Sequence, residues 1–224
     1  MIDIVRISKK MNDNVVFDDV SLKLPSKGII SIVGENGSGK TTFFKILTQL
    51  TSIDSGQISY GNNYVNKNGI SFFPSEQILV DDLSGWDHIH LFRETSLTEQ
   101  LIELFEAEKF LDKRIRKYSL GMKQMLLIIL TCSVDAHIFI FDEIINGLDP
   151  VNRDRSLNFL KDLKDNNLIL FSSHLLYDVI DISDQILFIK NKSFYNLSAD
   201  EGIDVNKILS EFKEVHMNAK NAGI

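Results

Sequence analysis

Eight consecutive residues, Gly34-Glu35-Asn36-Gly37-Ser38-Gly39-Lys40-Thr41, carry the pattern G-x-x-x-x-G-K-[ST]. Glycines at this spacing allow tight backbone angles and close approach of main chain to a ligand. The N–H groups of such a loop, together with a helix N-terminus, then face the oxygens of a polyphosphate. Lys40 is expected to reach the β- and γ-phosphates of ATP, and the Thr41 hydroxyl to coordinate Mg²⁺. A second constellation lies about a hundred residues later. The run Ile138-Phe139-Ile140-Phe141 ends in two carboxylates, Asp142 and Glu143. In open α/β sheets ligands bind beyond the carboxyl ends of the strands. There Asp142 would face the Mg²⁺ hydration shell, and Glu143 could orient or polarise a water attacking the γ-phosphate.

Both constellations depend on the elements that hold them. The β-branched run 29–33 before the glycine loop suits a buried strand, and Phe43, Phe44, Ile46, Leu47 and Leu50 recur at helical spacing after it. This strand–loop–helix context is what the phosphate-loop pattern requires. Strands are also expected over 2–8, 15–24, 57–60, 70–73, 138–141, 168–171 and 186–189. Helices are expected over 119–133, 152–164, 175–182 and 204–215, with a charged, helical stretch over 82–117. Alternating strands and helices in the second half imply a parallel sheet covered on both faces. The strand-rich start implies a smaller antiparallel layer, and the helical middle an inserted subdomain. The expected class is α/β: a P-loop NTPase with a mixed or parallel core sheet, an N-terminal antiparallel β layer and a helical subdomain.

Composition bounds the remaining possibilities. The 224 residues suffice for one good-sized core but not two full domains. A formal charge of −7 argues against a broad basic face, so no nucleic-acid partner is expected. The single cysteine, Cys132, excludes an internal disulfide framework and sits in an apolar stretch suited to a core. No secretion signal is read at 1–6. The longest uncharged apolar stretch, 125–134, falls well short of the roughly 20 residues a membrane-spanning helix needs. A membrane role would therefore require a partner chain.

Between the two acidic and phosphate motifs lies Tyr118-Ser119-Leu120-Gly121-Met122-Lys123-Gln124. Alone, Ser119 would read as an ordinary helix N-cap. With its neighbours, the chain from about 2 to 192 resembles the nucleotide-binding subunit of an ABC transporter. The segment is similar to the family signature in the form common among short bacterial exporter ATPases. Leu120 stands where the better-known form has its first glycine, and Met122 where it has glutamine; Ser119 and Gly121 are kept.

The resemblance implies that Ser119, Gly121 and Met122 close on ATP held by a second nucleotide-binding subunit, in a homo- or heterodimer. Gly147-Leu148-Asp149-Pro150 looks like the D-loop, so Asp149 would couple the two sites. His174 looks like the switch histidine that contacts the γ-phosphate; His88, His90, His137 and His216 read as structural or solvated. Thr42 joins the expected phosphate contacts. The family also implies a separate membrane-spanning permease, placing this chain in the cytoplasm at the inner face of the cell membrane. On this reading 1–224 is one nucleotide-binding domain, with a helical subdomain near 82–124 and a helical tail near 204–217.

Three positions depart from the family pattern. Ser75, followed by Glu76 and Gln77, stands where a glutamine is usual. Met11 stands nearest the aromatic residue that commonly stacks on adenine. Ile144 follows Glu143 in place of proline. Two other readings are open: a soluble ABC-type ATPase of a cytosolic assembly, and an ATP-binding regulatory subunit with low turnover, which the altered loop at Ser75 motivates.

Overall fold

The computed structural model describes residues 1–61, 69–73, 78–92, 95–143, 145–173 and 177–196. The terminal helix expected over 204–215 lies outside them, as do Ser75, Glu76, Gln77, Ile144, His174 and His216.

Strand β1 (Ile2–Met11) and strand β2 (Asn14–Leu24) form an antiparallel hairpin. Its two turn residues, Asn12 and Asp13, both have positive φ, 46° and 68°, which suits the right-handed twist of the strands. Strand β4 (Ser55–Tyr60) pairs with the other edge of β1, giving a three-stranded sheet of order β2-β1-β4. The second sheet has the order β5-β6-β7-β3-β8-β9. Its members are β3 (Gly28–Val33), β5 (Ile70–Phe73), β6 (Ile138–Asp142), β7 (Leu168–Ser173), β8 (Gln185–Lys190) and β9 (Ser193–Asn196). All are parallel except β9, which turns back on β8 through Asn191 and Lys192 at φ 50° and 64°. The core sheet is therefore mixed.

Successive strand residues point to opposite faces, and here each face has its own core. Val33, Phe139, Phe141, Ile169, Phe171, Ile186 and Phe188 pack with the long helical layer. Ile30, Ile32, Ile138, Ile140, Leu168, Leu170, Leu187 and Ile189 pack instead with helix α1 (Lys40–Leu47) and the antiparallel sheet. The expected helix over 41–50 ends at Leu47. Thr48 is its C-cap, and Gln49 at φ 58° cannot extend a right-handed helix.

The middle of the chain is helical, as its charge pattern predicts. Helices α2 (Gly85–Ile89) and α3 (Ser96–Leu104) each start with a capping box, Ser84 with Asp87 and Thr95 with Thr98. Helix α4 (Glu108–Leu111) and a 3₁₀ turn (Ile115–Lys117) lead to helix α5 (Leu120–Cys132). From Met125 to Cys132 every residue of α5 is buried. Thr95 and Thr98 hydroxyls donate to Cys132 O and Ser133 Oγ, each at 3.0 Å, fastening α3 to the end of α5. Burial pushes the Cys132 thiol well above its usual pKa, as expected of an inert core sulfur. Helices α6 (Pro150–Leu163) and α7 (Tyr177–Ile180) complete the layer.

Candidate functional site

The two chemical motifs meet at the carboxyl ends of the central strands. β3 delivers the glycine loop and β6 the acidic pair; β7 lies between them, in register with both. Within the loop, Gly39 has φ 109°, and a Cβ there would stand 2.7 Å from Val16 Cγ1. Only glycine satisfies both the backbone angle and the close approach to β2. Gly39 is also the N-cap of α1 and supplies no side-chain cap, so no side chain competes with an anion for the helix N–H groups. Gly37 has φ 81° and nothing within 4 Å of where a Cβ would stand, leaving that edge of the loop open.

Lys40 is 5% exposed. Its Nζ donates to Gly34 O at 2.8 Å and Glu35 O at 3.1 Å and pairs with Glu143 Oε1 at 3.4 Å. A buried ammonium held by three oxygens can exchange one of them for a phosphate oxygen without losing charge compensation. Thr41 Oγ1 donates to Asp142 Oδ2 at 2.5 Å. This hydroxyl and carboxylate, from different elements, form the hard-oxygen pair that Mg²⁺ prefers. Mg²⁺ takes one or two carboxylates and completes its shell with water and substrate phosphates.

Glu143 follows the last strand pair and has φ 51°, a left-handed angle that costs a non-glycine residue roughly 1–2 kcal/mol. Asn146 Nδ2 donates to Glu143 Oε2 at 3.2 Å, so Lys40 and Asn146 hold opposite oxygens of one carboxylate. Ser172 of β7 contacts both acidic residues: its Oγ donates to Asp142 Oδ1 at 2.5 Å and accepts from the Glu143 N–H at 2.9 Å. Ser172 and Asn146 were not singled out as site residues from the sequence. The strand register was the missing information: Asp142 is paired directly with Ser172.

A cleft of about 530 Å³ borders the loop, lined by residues that include Val15, Val16, Gly37, Ser38, Ile189 and Lys190. Met11 is not among its lining residues; it sits 44% exposed at the end of β1, beside the hairpin turn.

The signature segment lies on a different part of the fold. Ser119 is the N-cap of α5 and its Oγ accepts from the Met122 N–H at 3.2 Å. Leu120 is 60% exposed and packs over Gly147, where a Cβ would collide with it; Gly121 faces Gly147 O. Asp149 caps α6, accepting from the N–H groups of Val151 and Asn152 at 3.1 and 3.2 Å and from Asn152 Nδ2 at 2.7 Å. The Asn152 side-chain and backbone bonds hold its carboxyl below the ordinary value. The segments 119–121 and 147–149 thus meet at one corner, with Ser119, Leu120, Gly147 and Asp149 exposed.

Comparison with known proteins places this geometry in context. Residues 17–146, more than half of the chain, match the model of the family described as ABC transporter. The ABC transporter ATP-binding protein YtrB of Bacillus subtilis (strain 168) is 26% identical over 97% of this chain and 76% of its own length. The bacitracin transport ATP-binding protein BcrA of Enterococcus faecalis is 29% identical over 83% of this chain, spanning 65% of the relative. The ATP-binding cassette MJ0796, solved as a dimer in a post-hydrolysis state bound to ADP and Pi, superposes with a TM-score of 0.75. It is 18% identical, covering 89% of this chain and 100% of that one, and shares its fold.

Proposed function

The chain belongs to the ABC transporter family of ATP-binding proteins, and from that premise we propose that it is the ATP-hydrolysing subunit of a transporter, acting as one half of a nucleotide-bound dimer. The reading rests on one observation: Thr41 with Asp142, and Lys40 with Glu143, converge from two strand ends onto one phosphate loop. The loop N–H groups and Lys40 would bind the β- and γ-phosphates of ATP, with Thr42 adding a contact. Thr41 and Asp142 would hold Mg²⁺, which neutralises charge on the phosphate oxygens. A γ-phosphate taking a donor from Lys40 would release Glu143 Oε1 to accept from a water. That water attacks the γ-phosphorus, the bond to the β-phosphate oxygen breaks, and ADP and phosphate leave. His174, the residue that follows β7 in sequence, would contact the γ-phosphate, as the family resemblance implies. Catalysis of this kind is chiefly positioning and charge stabilisation.

Ser119, Gly121 and Met122 would complete the ATP site of a second nucleotide-binding subunit, and Asp149 would link the two. The corner carrying these residues, with Ser119 and Asp149 exposed, supports that reading. Among the described residues no helix is long and apolar enough to cross a membrane, so the load would be a separate permease. Closure of the dimer would move the helical segment near 82–124 against it. The signature form and the bacitracin relative favour export. Isolation from solubilised membranes tests this: a multispanning protein should accompany the chain, and stable recovery with soluble partners alone would contradict it.

A further inference from the structure

One hydroxyl touches both acidic residues of the site. Ser172 is fully buried on β7, two strands away from β5 and between β6 and β3. Its proton goes to Asp142 Oδ1 at 2.5 Å, and its lone pair takes the Glu143 N–H at 2.9 Å. Asp142's other oxygen is taken by Thr41 Oγ1, also at 2.5 Å. The carboxylate is thereby fixed from two sides, by α1 and by β7. Glu143 lies beyond the ladder, whose last pair is Asp142 with Ser172. Its left-handed backbone, at φ 51°, needs surroundings that impose it. Lys40 and Asn146 hold its side chain, and the Asn146 N–H donates to its carbonyl oxygen at 3.1 Å; the Ser172 bond is the contact on its backbone N–H. This place calls for a small group that donates and accepts at once. A serine hydroxyl meets that requirement, and an aliphatic side chain would leave both a carboxylate oxygen and an N–H unpaired.

We propose that Ser172 is a positioning residue for ATP hydrolysis, setting Asp142 toward Thr41 and Glu143 toward the attacking water through one shared hydroxyl. This rests on the reading that the chain hydrolyses ATP, and adds that the geometry of both carboxylates is set from a third strand. The expected effect falls on turnover and cation use, since the two hydrogen bonds of the Ser172 hydroxyl go to Asp142 and Glu143.

The test compares Ser172→Ala and Ser172→Thr with the unaltered protein, all as full chains checked for folding by circular dichroism. Nucleotide affinity without a divalent cation should be unchanged in both. In Ser172→Ala, kcat should fall about 10- to 100-fold, the usual effect of removing a group that orients a metal ligand. Mn²⁺ affinity in the presence of ATP, read by electron paramagnetic resonance, should fall by a similar factor. Ser172→Thr, which keeps the hydroxyl, should restore both. Wild-type kcat and Mn²⁺ affinity in Ser172→Ala would overturn the proposal, as would a Thr variant as impaired as the Ala variant. Absence of hydrolysis in the unaltered protein would instead remove the ATPase reading, and the Mn²⁺ measurement would still decide whether Ser172 sets Asp142.

Discussion

Two corners of this molecule carry its candidate chemistry, and they are built in opposite ways. At the phosphate-loop corner Lys40, Asp142 and Ser172 are buried beneath a loop whose Glu35, Asn36 and Gly37 are exposed. Lys40, Thr41, Asp142, Glu143 and Ser172 form a connected set drawn from α1, the end of β6 and β7. At the signature corner Ser119 and Asp149 are exposed, and their side-chain oxygens cap α5 and α6. The first corner has the parts to hold a triphosphate by itself. The second has donors at a helix N-terminus and an exposed apolar neighbour in Leu120. A site that binds and a site that only completes binding would differ in this way.

The sharpest way to break the comparison is Lys40→Ala. It should lower ATP affinity on the order of 100-fold, as expected for losing a charge-assisted contact of roughly 3 kcal/mol. Equilibrium binding of a fluorescent ATP analogue would show it, and unchanged affinity would remove the phosphate-loop assignment. Ser119→Ala should behave differently. Loss of the cap should destabilise α5 by about 1 kcal/mol in urea unfolding, leave ATP affinity of the single chain intact, and lower turnover of the assembled pair. If it weakened single-chain binding as much as Lys40→Ala, the two corners would not be separate.

Asp149→Ala should give the smallest effect, and its pH dependence sharpens the account. The folded-state carboxyl is held below its unfolded value, so the cap contributes fully above the unfolded pKa of about 3.9. That contribution fades as the pH falls and is gone below the lowered folded value. The stability difference between wild type and Asp149→Ala should therefore be constant from neutral pH down to mildly acidic pH and shrink below it. A difference that grew on acidification would contradict the cap.

Legibility in the sequence followed the distance over which each feature is encoded. The glycine loop and the strand ending in Asp142 and Glu143 are contiguous, and each carries its own context of apolar run and turn. The cap at Ser119 is read from three or four residues, whereas the capping role of Asp149 emerged only with the start of α6. Ser172 was not legible as a site residue, because its role arises from the register of β6 against β7, with 30 residues between the partners. Asn146 was passed over for a similar reason: its amide matters only once Glu143 turns left-handed. Strand β9 was not among the expected strands; Asn191 and Lys192 occupy the left-handed region that closes the tight hairpin leading into it. The early end of α1 has the same origin, in the left-handed Gln49.

The central claim is that the phosphate-loop corner of one subunit and the signature corner of another make one ATP site. Glu143→Gln keeps the shape of the side chain and removes its ability to polarise water. Native mass spectrometry of that variant, isolated from cells that express it and held in ATP and Mg²⁺, tests the claim most directly. The account predicts an assembly with two nucleotide-binding chains and two unhydrolysed ATP molecules. A single nucleotide-binding chain saturated with ATP would contradict it.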